Sequence, residues 1–128
     1  MVESITKETI AAGEALIKKL NQSGIRPKAV FWFYYPERER YQLVISIPEA
    51  RTEGSKKFYR KILSILEQGG DELGEITLED VTLQPPLLPM RGLIRLASKI
   101  ERGVPGYRLH KTGVDGDIID DAYLYRLR

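Results

Sequence analysis

Seven consecutive residues, Ala-Val-Phe-Trp-Phe-Tyr-Tyr at 29–35, are apolar or aromatic at odd and even positions alike. Side chains alternate across a strand, so such a run must be covered on both faces. A chain that contains it has to build a sheet around it. The stretch 41–47 supplies a partner strand: Tyr41, Leu43, Ile45 and Ile47 point one way, and Gln42, Val44 and Ser46 the other. Between the two, Pro36-Glu37-Arg38-Glu39-Arg40 is a charged turn without an Asn-Gly pair, which predicts a hairpin loop of four or five residues. Trp32, in the middle of the run, is expected to be buried.

Helical periodicity brackets this hairpin. The first helix is predicted over 4–22, where Ile10, Gly13, Ile17 and Leu20 share one stripe with Ala12 and Leu16 beside it. Gly24 suits its end, and Pro27 keeps it from resuming. After a loop at 48–54, a second helix is predicted over 55–68, with Ser55 as N-cap and Phe58, Ile62, Ile65 and Leu66 on its apolar face. Six acids and no base stand between 67 and 80, with glycines at 69, 70 and 74, so 69–80 reads as an exposed, mobile connection. Val81 and Leu83 form a short extended piece that Pro85-Pro86 ends. A third helix is predicted over 88–102, with Pro89 in its first turn and Met90, Leu93, Ile94, Ala97 and Ile100 as its stripe. A strand at 107–111, a turn at 112–116 and a strand at 118–127 follow. On the last strand Tyr123, Tyr125 and Leu127 share one face, Ala122 and Leu124 the other.

The order α-β-β-α-β-α-β-β predicts a single α+β domain over 1–128: a mostly antiparallel sheet of four to five strands with three helices packed against it. It differs from the βαββαβ order of an RNA-recognition motif.

Composition removes several chemistries. The chain has no Cys, which excludes disulfides, thiolate metal sites and a Cys nucleophile. His110 is its one imidazole, so no two-His metal site exists within a chain. The sequence contains neither GxGxxG nor GxxxxGK, no GxSxG and no Glu-x-Lys. No cofactor and no metal are expected. Apolar runs stop at about ten residues, short of the ~20 that cross a bilayer. Met1-Val2-Glu3-Ser4 has neither a basic nor an apolar leader region. A soluble, cytoplasmic protein without a membrane partner is the expectation.

Charge is segregated although the net charge is only +2. Arg91, Arg95, Lys99 and Arg102 recur at i, i+4, i+8 and i+11 on the third helix, and 87–111 holds six Lys or Arg against Glu101 alone. Lys56, Lys57, Arg60 and Lys61 form a second basic cluster on the second helix. Acids gather at 67–80 and at Asp115, Asp117, Asp120 and Asp121. A basic helix face is the minimum needed to track phosphates; it is also the ordinary solvated face of an amphipathic helix, or a dock for an acidic partner. Asp115-Gly116 reads as a tight turn rather than a metal loop, because Ile118-Ile119 stand where a calcium loop needs ligands.

The leading expectation is a non-enzymatic module that binds another macromolecule, a protein partner first. The alternative is a nucleic-acid binder using Arg91, Arg95, Lys99 and Arg102 with Lys56, Lys57 and Arg60 in support. A third is a small hydrolase or nuclease using His110 with Asp115 or Asp117. Co-location of the two basic clusters on one side of the fold separates the first two readings.

Overall fold

The computed structural model describes residues 2–83, 88–97, 99–100 and 106–127, with the side chains of 88–90 left aside. The aromatic run forms the strand β1 (Ala29–Tyr35) at the centre of a five-stranded sheet ordered β3-β2-β1-β5-β4. β2 (Arg40–Ser46) pairs with it antiparallel, placing Trp32 opposite Leu43. β5 (Asp117–Tyr125) flanks it on the other side, placing Trp32 opposite Tyr123. β4 (Gly106–Val114) closes a second hairpin with β5, and β3 (Val81–Leu83) adds the one parallel pair, on β2. The order of the elements and the mostly antiparallel α+β architecture are as the sequence predicts.

Helices cover both faces, which is what a doubly apolar β1 demands. α1 (Lys7–Gln22) and α3 (Ser55–Gln68) pack on the Trp32 face, through Leu16, Leu20, Phe58 and Ile62. α4 (Leu88–Ala97) packs on the Phe31 face through Leu93 and Ala97. α1 starts later than predicted: the Thr6 hydroxyl accepts from Thr9 N–H at 3.1 Å and caps it, leaving 2–5 outside the helix. A one-turn helix, α2 (Ala50–Glu53), occupies part of the predicted loop 48–54, and Gly54, at φ 90°, rather than Ser55, stands at the cap of α3.

Trp32 is fully buried, and its indole is not left without a partner. Trp32 Nε1 donates to the Tyr125 hydroxyl at 2.9 Å, and that hydroxyl donates to the Ile10 carbonyl of α1 at 2.8 Å. The chain of bonds needs α1 close to β5. Gly13 provides the approach, because a Cβ there would overlap the Tyr125 ring. Burial also pushes the Tyr125 phenol up from its ordinary value, so it stays a donor.

Two expectations are corrected. The segment 69–80 is docked, not loose: Leu73, Ile76 and Asp80 are buried, and short 3₁₀ turns at Gly70–Leu73 and Leu78–Asp80 carry them. It packs against α1 and α3, not against the basic helix α4, and Lys19 reaches Glu72 at 3.6 Å. Apolar residues spaced within the acids explain why: Leu73 and Ile76 are buried while Asp71, Glu72, Glu75 and Glu79 stay exposed, and the buried Asp80 accepts from the Thr77 N–H and hydroxyl. The predicted turn at 112–116 shrinks to Asp115-Gly116, both at positive φ (50° and 87°), as a two-residue hairpin turn requires.

Replacing Gly13 with alanine separates two effects of opposite sign. Helix propensity alone favours alanine by roughly 0.5–1 kcal/mol. Overlap with a ring held by two hydrogen bonds predicts instead a net loss of about 1–3 kcal/mol. Urea unfolding reads the sign; a stabilised Gly13→Ala chain would contradict the packing described.

Candidate interaction surface

The sheet has two unlike edges. β3 is three residues long, and its Leu83 N–H is taken by the Tyr59 hydroxyl of α3 at 2.9 Å. β4 is nine residues long, and among the described residues no strand lies outside it. Most of its side chains are exposed, Tyr107 by 45%. Long bare edges attract foreign strands and are usually blunted. Here the ladder to β5 skips Lys111, whose φ is 46°. Alternation inverts at that point, so Leu109 and Val114, like Ile119 and Ala122, all face α4. Gly106–His110 is thereby left as the regular part of the edge.

Beside the far end of β4 lies a cleft of about 320 Å³ between α4 and the hairpin turn, lined by Gly92, Arg95, Leu96, Lys99 and Asp115. Gly92 permits it. A Cβ there would sit 2.6 Å from both Asp115 Oδ2 and Val114 Cγ1, so only glycine lets α4 rest on the turn. Leu96 is 43% exposed at this cleft and forms an apolar floor.

The predicted basic stripe is shorter as a helix than expected. Arg91 and Arg95 stand exposed on α4, but the helix ends at Ala97. Lys99 follows in a turn, its N–H bonded to the Leu96 carbonyl at 3.0 Å, and Arg102 lies outside the described residues. Arg95 approaches Asp115 at 3.5 Å, a partner that helical spacing does not show. Lys56, Lys57 and Arg60 are exposed on α3, where Lys57 binds Glu53 at 2.7 Å and lowers that carboxyl below its ordinary range. α3 and α4 belong to opposite faces of the sheet. The two basic clusters therefore do not join into one surface.

Nor does the fold bring His110 to Asp115 or Asp117. His110 is four residues from the end of β4, roughly 13 Å along an extended strand. The carboxylate in register with it is Asp121. Asp121 is buried and already engaged: Arg108 binds it through Nε (2.7 Å) and Nη2 (2.8 Å), and the Tyr41 hydroxyl donates to it at 2.6 Å. Arg108 also reaches the Ile5 carbonyl at 3.4 Å. Sequence reasoning grouped Asp121 with Asp115, Asp117 and Asp120 as one acidic cluster and missed this arrangement; its signal is a strand Asp facing inward next to Tyr123 and Tyr125. The bidentate pair holds the guanidinium proton more tightly than usual. It ties β2, β4, β5 and the N-terminal segment together, which is a structural task. Among the described residues no three His, Asp or Glu side chains gather as a metal site, and no helix is long and apolar enough to cross a membrane.

The chain matches no known protein family, no curated protein and no solved structure.

Burial, and next the hydrogen bond to Asp121, push the Tyr41 phenol from 10.0 up to about 12. The folded chain thus keeps a proton that the unfolded chain releases, so stability falls as pH rises from 10 to about 12. Unfolding followed across that window should show a shallower fall in Tyr41→Phe than in the parent. Identical slopes would mean that Tyr41 is not held by Asp121.

Proposed function

We propose that the chain is an interaction module whose partner is an acidic, extended protein segment that adds to the outer edge of β4. The carrying observation is the nine-residue strand outside which no described strand lies, beside a flank where Arg91, Lys99 and Lys111 stand exposed while Arg95 and Arg108 pair with Asp115 and Asp121. The described residues of 88–114 include Arg91, Arg95, Lys99, Arg108 and Lys111 and no acid. An added strand gains main-chain hydrogen bonds from the edge and specificity from alternate side chains. Leu109, packed with the α4 cluster, and the exposed Tyr107 offer apolar contact, Leu96 floors the neighbouring cleft, and Lys99 and Lys111 meet carboxylates. Charge complementarity of this kind favours rapid association and selects against basic segments.

Nucleic-acid binding through α4 is the competing reading. The separation of the α3 and α4 clusters leaves it, of the predicted residues that are described, Arg91, Arg95 and Lys99, few phosphate contacts for useful affinity.

Titration of the isotopically labelled chain with a peptide of alternating Val and Glu should shift the amides of 106–114. The double variant Lys99→Glu, Lys111→Glu should weaken that binding by about tenfold or more, equivalent to about 1.4 kcal/mol. A Val-Lys peptide should not bind. Equal binding of both peptides, or shifts outside β4, would overturn the proposal. A mixed-sequence oligonucleotide that shifts α4 at physiological salt would give the surface to nucleic acid instead.

A further inference from the structure

At the end of the sheet where α1 hands over to β1, a second cleft of about 430 Å³ lies between that connection, the end of β5 and the end of α4. Arg26 and Lys28 come from the connection and Arg126 from the residue after β5. Three cations enter one concavity, and no described acid lines it. None of the three forms an ion pair with a described residue. Like charges gathered in a concavity repel one another, and its low-dielectric walls concentrate their field.

Capping of α1 does not account for them. The Lys19, Leu20 and Asn21 carbonyls near the end of α1 are already taken by backbone: Ser23 N–H binds Lys19 and Leu20, Gly24 N–H binds Asn21, and Ile25 N–H binds Leu20 at 2.9 Å. The frame that carries the cations is stiff. Pro27 fixes the backbone between Arg26 and Lys28. Lys28 N–H is bonded to the Ser46 carbonyl at 2.8 Å, and Arg126 directly follows the buried Tyr125. Ala97, Ile100 and Leu127 give the cleft an apolar side.

From this geometry we infer that the cleft binds a small phosphomonoester whose organic body is apolar or aromatic. A phosphomonoester carries a charge of roughly −1.5 to −2 at neutral pH and three acceptor oxygens. Two guanidinium forks and an ammonium match that group better than a single carboxylate. The volume falls within the ordinary span of small-molecule sites, about 300–1,000 Å³. The apolar side then rewards a body attached to the phosphate. This site is separate from the β4 edge and does not depend on it.

Phenyl phosphate is the probe, with inorganic phosphate and benzoate beside it, followed by calorimetry and by amide shifts of the labelled chain. Saturable binding of phenyl phosphate is expected, several-fold tighter than inorganic phosphate and about tenfold tighter than benzoate, and weakening as salt rises. The shifts should fall at 26–28, 97–100 and 126–127. Arg26→Gln with Lys28→Gln should weaken binding by about tenfold or more. Lys56→Gln with Arg60→Gln, on α3, should leave it unchanged. Both residues at 26 and 28 are exposed, and each single variant provides the same reading if the double variant folds poorly. Benzoate binding as tightly as phenyl phosphate, an undiminished double variant, or no saturation at millimolar probe would overturn the inference.

Discussion

The structure hangs on one buried chain of hydrogen bonds, from the Trp32 indole through the Tyr125 hydroxyl to the Ile10 carbonyl. Two polar groups are carried into an apolar layer, and each would cost about 1–3 kcal/mol if left without a partner. Satisfying them requires β1, β5 and α1 to meet at one point, and the absence of a side chain at Gly13 is what allows it. Once that point is set, the alternation of β1 decides the rest. Even-numbered positions 30 and 32 face α1 and α3, and odd-numbered positions 29, 31, 33 and 35 face α4. Asp121, held by Arg108 and Tyr41, extends the same lock outward to β2 and β4.

Polarity is arranged around that core in a way that bears on function. The sheet separates α3 from α4, so charges that look like one basic population in the sequence are two populations on opposite faces. One is partly neutralised by Glu53 and the other by Asp115, and the second stands beside a strand with no described strand outside it. Tyr59 takes the Leu83 N–H of the short β3, while the long β4 is interrupted at Lys111 and has no described strand on its outer edge. A chain whose interior is closely determined and whose edge is open fits binding to an extended partner better than chemistry on a small substrate at His110. The cleft of Arg26, Lys28 and Arg126 is at a different place and draws on different elements.

Local pattern carried much of the fold. The two hairpins, the limits of α3, the faces of β5 and the burial of Trp32 follow from alternation, helical periodicity and turn chemistry within a few residues. What local pattern misses has a common cause, which is contact between residues far apart in the chain. Leu73 and Ile76 look isolated among acids until α1 offers them a surface. The parallel pairing of β3 depends on a crossover through α3. Inversion of the strand faces at Lys111 needs the α4 surface to reward Val114 and Ile119. The site divides in the same way. The basic run on α4 is legible from its spacing, and the pairing of its Arg95 with Asp115 is not, since 20 residues separate Arg95 from that turn. The convergence of Arg26 and Lys28 with Arg126 spans most of the chain, and no motif announces it.

Residue-by-residue amide hydrogen exchange of the isolated chain tests the central claim, that the interior is locked and the β4 edge is open. Amides of β1, β5 and the middle of α1 should exchange only with global unfolding. Along Gly106–His110 protection should alternate, with amides bonded to β5 slow and outward-pointing amides fast. Uniformly slow exchange along β4 would contradict the account, because it would mean that the edge is already covered.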